Sequence, residues 1–571
     1  MKKAGLKAVS GALAAFTLVG VLSACSGAND NASDNQPVVA DDDPYGYSTP
    51  IDINVGFAFA SDFKPVTGET ETSNTWMDLY KEQGMNVKPM YSVDASQGST
   101  KLATAIASGS YPDVFGIKGS DLVKYAQTNV IADLTDAYEK YATPELKAYV
   151  DANGGSDYLA SQVDGKLYAI PKVSSGYDSA MVMFVRQDWL DNLGLEMPTT
   201  MDELVEVARA FTRDDPDGNG QDDTYGLALN GKEGFAMLSG MQAFFEGYGA
   251  VPGHWNGMFT FIEKDGKVIW GGDLPDEMKK GLSALQGMYK EGSLAKNFGT
   301  MDLTAINKDL GSGKAGIVFG PQWGTMVSVT DAVKNDPNAI FSAAPIPDGN
   351  GEGSSKAYLP SMPETYWVAS SKMKNPEALI KLANLSVQKL IHPENDEEYY
   401  KYSGQVDKYS GWKFSLTPTT NPMGVLENYY KISKAFESGD TSELNIEQKT
   451  DYDNIKYYLD SVEDGTFEEK VKANDSKLLI GLSFYEAQRG MSAVDRVKQA
   501  EAVNPLAYTY IPTATMTSKY STLNKMALET IVKIVYGDSV DSYDKFLESW
   551  RALGGEQVTA EAQEWYDANK K

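Results

Sequence analysis

Ile51-Asp52-Ile53-Asn54-Val55-Gly56-Phe57-Ala58-Phe59 is the stretch that decides the fold class. Its large apolar residues occupy every second position, which is the pattern of a β-strand. A helix pattern around Trp76 follows and ends at Gly84. The sequence then predicts a strand at 85–93, a helix at 101–107 and a further strand at 113–117. Strands that alternate with helices at this spacing predict an α/β fold with a mostly parallel sheet.

Further elements follow along the chain. Strands are predicted at 166–170, 180–185, 313–320 and 366–370. A helix is predicted at 201–211, because Thr200 and Glu203 have the spacing of a capping box. The last part of the chain has a largely helical pattern, with a long amphipathic segment at 523–536 that stops at Gly537.

Two loops are placed to face a ligand, because open α/β sheets bind ligands beyond the carboxyl ends of their strands. These loops are Ser61–Phe63, after the first strand, and Gly116–Ser120, after the third. Asp62 would accept a hydrogen bond from a hydroxyl group, and Phe63 would offer a stacking face. A surface turn at 61–63 is the alternative interpretation.

The composition limits the organisation and the partners. A chain of 571 residues is too long for one hydrophobic core, so we expect two or more domains or lobes. The formal net charge is −28, with 79 acidic and 51 basic residues, which argues against nucleic acid as a partner. The same charge disfavours polyanionic ligands unless a local basic pocket overrides it.

The N-terminus has the pattern of a secretion signal. Lys2, Lys3 and Lys7 precede an apolar run at 8–22, which is shorter than the ~18–20 residues that span a bilayer. Leu22-Ser23-Ala24-Cys25 ends this run, and Cys25 is the only cysteine of the chain. The site resembles the lipobox of bacterial lipoproteins, and the alternative is an ordinary signal with an incidental cysteine.

The lipobox resemblance implies a location and a tether. It implies that residues 1–24 are a lipoprotein signal peptide and that cleavage leaves a lipid on Cys25. The protein would then be extracytoplasmic and anchored to the outer face of the cell membrane through the lipid alone. Residues 25–50 are rich in Asn, Asp, Ser, Gly and Pro, which predicts a flexible tether.

One metal motif stands out. Asp215-Pro216-Asp217-Gly218-Asn219-Gly220-Gln221-Asp222-Asp223 fits the first nine positions of an EF-hand-type calcium loop. Position 12 is Gly226, so the usual bidentate glutamate is missing, and Asp222, Thr224, a remote carboxylate or water would complete the coordination. A solvated acidic turn is the alternative. We expect a structural calcium ion bound by Asp215, Asp217, Asn219, Gln221 (through its backbone carbonyl) and Asp223.

Other chemical motifs are weak. The chain has only two histidines, His254 and His392, which leaves little material for a histidine metal site or a Ser-His-Asp arrangement. Gly311–Lys314 precedes a predicted strand rather than a helix, so it does not fit a phosphate-binding loop. Two carboxylates for glycoside hydrolysis could come from any of the 79 acidic residues, so this signal carries almost no information.

Several segments, in their order and spacing, resemble extracellular solute-binding proteins of sugar ABC importers. The matching segments are 108–115, 164–171, 186–194, 198–204, 224–226 with the preceding calcium-type loop, 313–323, 375–378 and 546–555 ahead of Glu561. The calcium-type loop resembles the large lipoprotein subgroup that includes alginate- and oligosaccharide-binding members. Each motif is common by itself, and the series covers most of the chain.

The resemblance implies a two-lobed α/β fold like that of periplasmic binding proteins such as maltose-binding protein. The chain would cross a hinge several times, so each lobe is discontinuous. The predicted N-lobe is 51–175 plus 361–415, and the predicted C-lobe is 176–360 plus 416–571. The long C-terminal part departs from small family members and leaves the third crossing open.

Eight residues are candidates for ligand contact: Asp62, Phe63, Tyr177, Trp255, Asn256, Trp323, Trp367 and Tyr520. The resemblance implies that Trp323 is the stacking tryptophan and that Tyr520 occupies a cleft position. Tyr177 would line the cleft or pack in the hinge. Trp255 and Asn256 would lie on a rim or in a turn, and Trp367 is more consistent with the core. Trp189, Trp550 and Trp565 lie on helix-like stretches and are assigned to packing.

The resemblance implies a binding protein and not an enzyme. It would take up oligosaccharide or polysaccharide fragments between its lobes and deliver them to the transmembrane subunits of an ABC permease, as a monomer. Three alternatives stay open at this point: a binding protein for peptide or another solute, a surface glycan hydrolase or lyase, and a sensor or adhesin with the same fold.

Overall fold

Two mixed sheets organise the part of the chain that the structure describes. This computed structural model describes residues 42–59, 68–173, 176–255, 259–349, 355–359, 363, 365–403 and 411–569. The predicted signal peptide, Cys25 and residues 26–41 of the predicted tether lie outside the described residues. None of the helices in these ranges combines the length and the apolar character that crossing a membrane requires.

The bounds of the elements are as follows. The strands are β1 (Ile51–Phe59), β2 (Met85–Asp94), β3 (Val114–Ile117), β4 (Gln162–Val163), β5 (Lys166–Leu167), β6 (Ile170–Pro171), β7 (Val182–Arg186), β8 (Tyr225–Leu227), β9 (Phe261–Lys264), β10 (Lys267–Trp270), β11 (Ala315–Gly320), β12 (Phe341–Pro345), β13 (Ala357–Tyr358), β14 (Tyr366–Ala369) and β15 (Val503–Asn504). The helices are α1 (Thr75–Glu82), α2 (Ala95–Ser108), α3 (Gly119–Gln127), α4 (Thr135–Tyr141), α5 (Pro144–Val150), α6 (Ser156–Ala160), α7 (Gln187–Leu193), α8 (Met201–Arg213), α9 (Met241–Gly247), α10 (Pro275–Glu291), α11 (Leu303–Gly311), α12 (Ser328–Asn335), α13 (Ala378–Leu390), α14 (Asp396–Tyr402), α15 (Gly424–Ser438), α16 (Ile446–Glu463), α17 (Phe467–Lys472), α18 (Ser476–Gln499), α19 (Ala514–Val535), α20 (Ser542–Trp550) and α21 (Glu556–Asn569).

The first sheet has the strand order β2-β1-β3-β14-β6. β1 confirms the strand predicted at 51–59, with residues 51, 53, 55 and 57 buried. It pairs in parallel with β2 and β3, whereas β14 runs antiparallel to β3 and β6. Four of the five strands therefore run in the same direction, as the prediction of a mostly parallel sheet requires, and β14 is the exception. β14 enters after a long connection from the second sheet and not after a helical crossover, so its direction is not tied to that of β3.

The second sheet has the order β12-β7-β11-β8. Every residue of β7 is buried. Val182 and Phe184 belong to one apolar cluster, and Met183 and Val185 belong to another. Since successive side chains of a strand point to opposite faces, both faces of this sheet are covered. This explains why the predicted strand at 180–185 is apolar throughout.

The chain passes between the two sheets repeatedly. It leaves the first sheet after β6 for β7, and it returns from β12 to β14. It leaves again between the 3-10 turn Gly411–Phe414, which contacts α1 and α14, and α15, which packs on α16 and α18. The predicted lobe ranges place all strands of the first sheet in one lobe and all strands of the second sheet in the other. The exact bounds of the lobes stay a prediction.

The segment just before β1 is fixed to the first sheet's helices. Tyr47 is buried, and its backbone N–H donates to Gln83 O at 3.0 Å. Lys381 Nζ donates to Gly46 O at 2.6 Å, and Asn384 Nδ2 donates to Pro44 O at 2.7 Å. The structure thus differs from the prediction of a flexible tether over 25–50, because the last residues of that stretch have partners on α13.

Candidate functional site

A buried strand and a tight turn present Trp323 to the solvent. β11 ends at Gly320, where a Cβ atom would lie 2.7 Å from Leu238 Cδ1 and 3.2 Å from Gly324 Cα. A side chain at Gly320 would therefore separate the two halves of the turn. The turn continues as Pro321–Val327, and Trp323 within it is 36% exposed. A large aromatic side chain this exposed is available to a ligand.

Three predicted ligand residues come together in one pocket of about 520 Å³, which we call the tryptophan pocket. Trp323, Trp255 and Tyr520 line it, and the other lining residues include Asn230, Glu233, His254, Leu303 and Asn524. They come from the β11 turn, the segments after β8 and α9, and helices α11 and α19. The convergence of aromatic rings from distant segments makes this pocket the candidate site.

Packing fixes the aromatic walls of the tryptophan pocket. Tyr520 meets Phe259 edge to face, with ring centroids 5.1 Å apart. The ring of Trp255 lies 5.1 Å from that of His254. Burial raises the pKa of Tyr520 to about 12, so its phenol stays neutral at physiological pH and keeps its proton for donation.

Asn230 and Glu233 supply the polar side of the pocket, and the sequence reasoning missed both. Asn230 is fully buried, and its Nδ2 donates to Glu233 Oε2 at 2.7 Å. The backbone N–H of Glu233 donates in turn to Asn230 Oδ1 at 3.0 Å. This reciprocal pair orients the exposed carboxylate of Glu233. Their position just after β8 is the signal that could have identified them, since ligands bind beyond strand ends.

Trp367 lies in a different pocket, of about 1070 Å³, at the carboxyl ends of β1 and β3. Phe59, Lys118, Asp121 and Lys413 are among its other lining residues. The indole covers Gly116, where a Cβ atom would lie 2.8 Å from Trp367 Cζ3. Trp367 is half-buried, and its Nε1 is buried without a hydrogen-bond partner. This indole therefore borders a cavity as well as packing on the sheet.

Of the remaining predicted contacts, the structure describes only Tyr177, which it places outside both pockets. Tyr177 lies half-buried in the connection between β6 and β7, packs against the core of the second sheet, and has Lys498 Nζ at 5.9 Å from its ring centre. It is absent from the described lining of both pockets. Asp62, Phe63 and Asn256 lie outside the described residues.

Hydrogen bonds join the polar groups of the predicted calcium loop, which lies between α8 and β8. Gly220 has a φ of +75°, and its N–H donates to Asp215 Oδ2 at 3.0 Å. Asn219 Nδ2 donates to Asp217 Oδ2 at 2.8 Å and to Asp223 Oδ1 at 3.3 Å. Burial and the charges of the neighbouring carboxylates raise the pKa of Asp217 above its ordinary value. A cation would relieve this crowding.

The carboxylates of this loop could hold a calcium ion only together with side-chain amide and backbone carbonyl oxygens. In the described ranges, no three Asp, Glu, His or Cys side chains lie close enough to hold a metal by themselves. Asn219 and the carbonyl of Gln221 would have to complete the set, as in EF-hand loops. Thr224 is buried, and its hydroxyl donates to Phe211 O at 2.8 Å.

Comparison with known proteins decides the family. The family model for bacterial extracellular solute-binding proteins matches residues 67–391, which is more than half of the chain. The chain belongs to the bacterial extracellular solute-binding proteins. Trp255 and Trp323 lie inside the matched range, whereas Tyr520 and all of α18 lie outside it.

Relatives of this solute-binding protein occur in Bacillus subtilis and Streptococcus pneumoniae. Lipoprotein LipO of Bacillus subtilis is 30% identical over 42% of this chain and 45% of its own length. The polygalacturonan/rhamnogalacturonan-binding protein YtcQ of the same organism is 24% identical over 82% of this chain and 83% of its own. FusA of Streptococcus pneumoniae, a fructooligosaccharide ABC transporter substrate-binding protein, is 28% identical over 48% and 50%. The chain thus spans about half the length of two of these relatives.

Solved structures of solute-binding proteins share the fold. An extracellular solute-binding protein from Bifidobacterium longum subsp. infantis has a TM-score of 0.60 and 19% identity, over 92% of this chain and 99% of its own. An EF-hand mutant of FusA from S. pneumoniae in complex with fructo-nystose has a TM-score of 0.56 and 17% identity, over 91% and 99%. The predicted fold class is confirmed: this solute-binding protein has the two-lobed fold of its family.

Proposed function

We propose that this protein binds oligosaccharides or polysaccharide fragments outside the cytoplasm and delivers them to the transmembrane subunits of an ABC importer. The tryptophan pocket carries the proposal, because Trp323, Trp255 and Tyr520 converge there beside the oriented carboxylate of Glu233. Aromatic faces pack on the apolar faces of sugar rings, and polar side chains bond the hydroxyl groups at the ring edges.

The relatives support carbohydrate as the ligand class. YtcQ is described as a polygalacturonan- and rhamnogalacturonan-binding protein, and FusA as a fructooligosaccharide-binding one. Closure of the two lobes of this chain around the sugar would bury it and create the shape that a permease recognises. In this proposal the lobes are 51–175 plus 361–415 and 176–360 plus 416–571.

A glycan hydrolase or lyase is the second candidate, and the carboxylates of the pockets disfavour it. Most glycoside hydrolases use two carboxylates that flank the bond they cleave. Among the described lining residues, Glu233 is the one carboxylate of the tryptophan pocket, and Asp121 is the one carboxylate of the Trp367 pocket. We therefore propose that the bound glycan leaves unchanged. A peptide or another solute is the alternative within the binding class.

The anchor, the metal and the remaining contacts complete the proposal. A lipid on Cys25 would hold the monomeric protein at the outer face of the cell membrane, and the lipoprotein relative LipO supports this. Asp215, Asp217, Asn219, Asp223 and the carbonyl of Gln221 would bind a structural calcium ion, and the EF-hand of FusA supports this. Asp62, Phe63, Tyr177 and Asn256 are proposed as further ligand contacts, with Trp367 in its own pocket.

Isothermal titration calorimetry tests the proposed function. Kestose, fructo-nystose, tri-galacturonate and a peptide library are titrated into the protein, and the recovered sugars are analysed for cleavage. We expect saturable binding of an oligosaccharide with no product. Trp323→Ala should weaken that binding at least about tenfold, because aromatic anchors of a pocket dominate its affinity.

Tyr400→Ala is the matched control, since Tyr400 on α14 is 41% exposed, much like Trp323, and does not line the tryptophan pocket. This variant should bind like the unmodified protein. Release of shortened sugars, or binding that is equally strong in Trp323→Ala, would contradict the proposal.

A further inference from the structure

Helix α18 lies beneath the turn that carries Trp323. Ser483, Glu486 and Gly490 have the spacing i, i+3 and i+7, so they share one face of this helix. α18 also packs on strand β12 and on helix α12, which follows the Trp323 turn directly. The helix belongs to the C-terminal part of the chain, beyond the residues that the family model matches.

Each of the three α18 residues contacts a different residue of the turn. Ser483 Oγ donates to Met326 O at 2.9 Å. Glu486 Oε2 accepts a hydrogen bond from Thr325 Oγ1 at 3.2 Å. At Gly490, a Cβ atom would lie 2.0 Å from Gln322 O, so the backbone of the turn touches the backbone of the helix.

The contacts leave Trp323 as the exposed residue between two buried ones. Thr325 is fully buried and Gln322 is 8% exposed, whereas Trp323 between them points to the pocket. Since Gln322 and Thr325 are held from below, the turn has little freedom to move the indole. Contacts on both sides of a residue are what fixes its backbone.

The buried carboxyl group of Glu486 is suited to hold this turn. It is 1% exposed, and burial raises its pKa to about 7, against the opposing effect of Arg489. Arg489 Nη1 also donates to Phe341 O at 2.7 Å, which ties the same stretch of helix to β12. The hydroxyl of Thr325 can donate to Glu486 whether or not that group is ionised.

We propose that Ser483, Glu486 and Gly490 are positioning residues that set the ring of Trp323 before a ligand arrives. This inference rests on the proposed function, because it assigns a role within the same pocket. A preorganised ring gains affinity since less conformational freedom is lost on binding. Helix α18, which lies beyond the residues that the family model matches, would thereby raise the affinity of a pocket whose stacking residue lies within those residues.

Gly490→Ala tests the proposal, and Gly481→Ala is its matched control. Gly481 lies on the same helix, and its Cβ atom would also meet a backbone oxygen at 2.0 Å, but that oxygen belongs to Asn454 on α16. Both variants should destabilise the protein, because both push a helix from a close neighbour. Gly490→Ala alone should displace the turn of Trp323.

The readout is the ¹⁹F NMR spectrum of protein labelled with 5-fluorotryptophan, in which Trp323→Phe assigns the Trp323 resonance. We expect Gly490→Ala to shift or broaden that resonance and Gly481→Ala to leave it in place. The affinity for the best-binding sugar among kestose, fructo-nystose and tri-galacturonate should fall about tenfold in Gly490→Ala and stay unchanged in Gly481→Ala.

Two further variants keep the test valid if Gly490→Ala does not fold. Glu486→Ala should move the Trp323 resonance, and Glu486→Gln, which retains an oxygen that accepts from Thr325, should restore it. An unmoved resonance in both Gly490→Ala and Glu486→Ala would overturn the positioning role. The spectrum needs no ligand, so a failure to bind any sugar would contradict the proposed function while leaving this result intact.

Discussion

Lys381 on α13 carries a charge and is fully buried. Its ammonium group has both polar and aromatic partners. It donates to the carbonyls of Asp43 and Gly46, and the rings of Tyr47 and Tyr141 lie 4.3 and 4.7 Å from its Nζ. A buried charge is tolerated when its hydrogen bonds are made and an aromatic face is near. At the residue scale, this lysine fixes the start of the folded chain.

Lys381→Met should therefore destabilise the protein by roughly 2 to 3 kcal/mol, because charge-assisted hydrogen bonds are lost and a buried carbonyl is left without a donor. Urea denaturation measures this change, and limited proteolysis should cut within 42–50 only in the variant. Lys372→Met is the control: Lys372 also donates to a carbonyl, that of Gly109 at 2.6 Å, and also lies over a tyrosine ring, but it is exposed. Equal loss in both variants would show that burial is not what makes Lys381 important.

The same residues explain what composition could not predict. The segment 25–50 is rich in Asn, Asp, Ser, Gly and Pro, and this composition predicts a flexible tether without indicating the contacts of its last residues. Tyr45 and Tyr47 are the signal that was available, since two tyrosines in a polar stretch offer apolar surface to bury. The partners of Tyr47 and Gly46, at the start of α13 and within it, are more than 300 positions away in sequence, so no local pattern could identify them.

At the scale of elements, the calcium-type loop is the clearest case for a test. Calcium bound to the folded state alone would stabilise it by about 2.7 kcal/mol at a concentration a hundred times the Kd. We expect the melting temperature to fall on addition of a chelator and to recover with excess Ca²⁺. Asp217→Asn should abolish this response, whereas Asp214→Asn, at the exposed end of α8 outside the loop, should retain it. A melting temperature that does not change on addition of the chelator would contradict a structural calcium ion in this loop.

Local sequence patterns correctly predicted individual elements such as α8, but not which segments pair or form a pocket in the folded chain. The capping box of α8 is confirmed, because Glu203 N donates to Thr200 Oγ1 at 3.2 Å and Thr200 N donates back to the Glu203 carboxylate. Trp189 and Trp550 are buried, as their helical spacing predicts. The antiparallel direction of β14 was missed because it depends on which segments meet in space rather than on neighbours in sequence. Asn230 and Glu233 were missed because the short strand before them, β8, was not predicted.

At the scale of the whole molecule, the buried carboxyl groups of Glu246 and Glu486 and the half-buried one of Asp451 couple stability to pH. Burial raises the pKa of Glu246 to about 8, partly offset by the N–H of Tyr358, which donates to it at 2.8 Å. Burial likewise raises the pKa of Glu486 and of Asp451 to about 7. The folded state therefore holds protons that the unfolded chain releases near pH 4 to 5, so the contribution of these three groups to stability falls as the pH rises from about 5 to 8.

Glu246→Gln should flatten this dependence, because glutamine keeps an acceptor for Tyr358 and has no charge to bury. Each carboxyl group contributes a slope of at most about 1.4 kcal/mol per pH unit, and the residual slope in the variant reports Glu486 and Asp451. Urea denaturation at pH 5, 6, 7 and 8 measures the slopes. Glu463→Gln, at the exposed last position of α16, is the control that should keep the full dependence.

The net charge of −28 also destabilises the folded state as carboxyl groups ionise, but added salt screens that repulsion between surface charges. A slope that survives high salt in the unmodified protein and shrinks in Glu246→Gln therefore belongs to the buried group, and a slope that disappears with salt in both belongs to the surface.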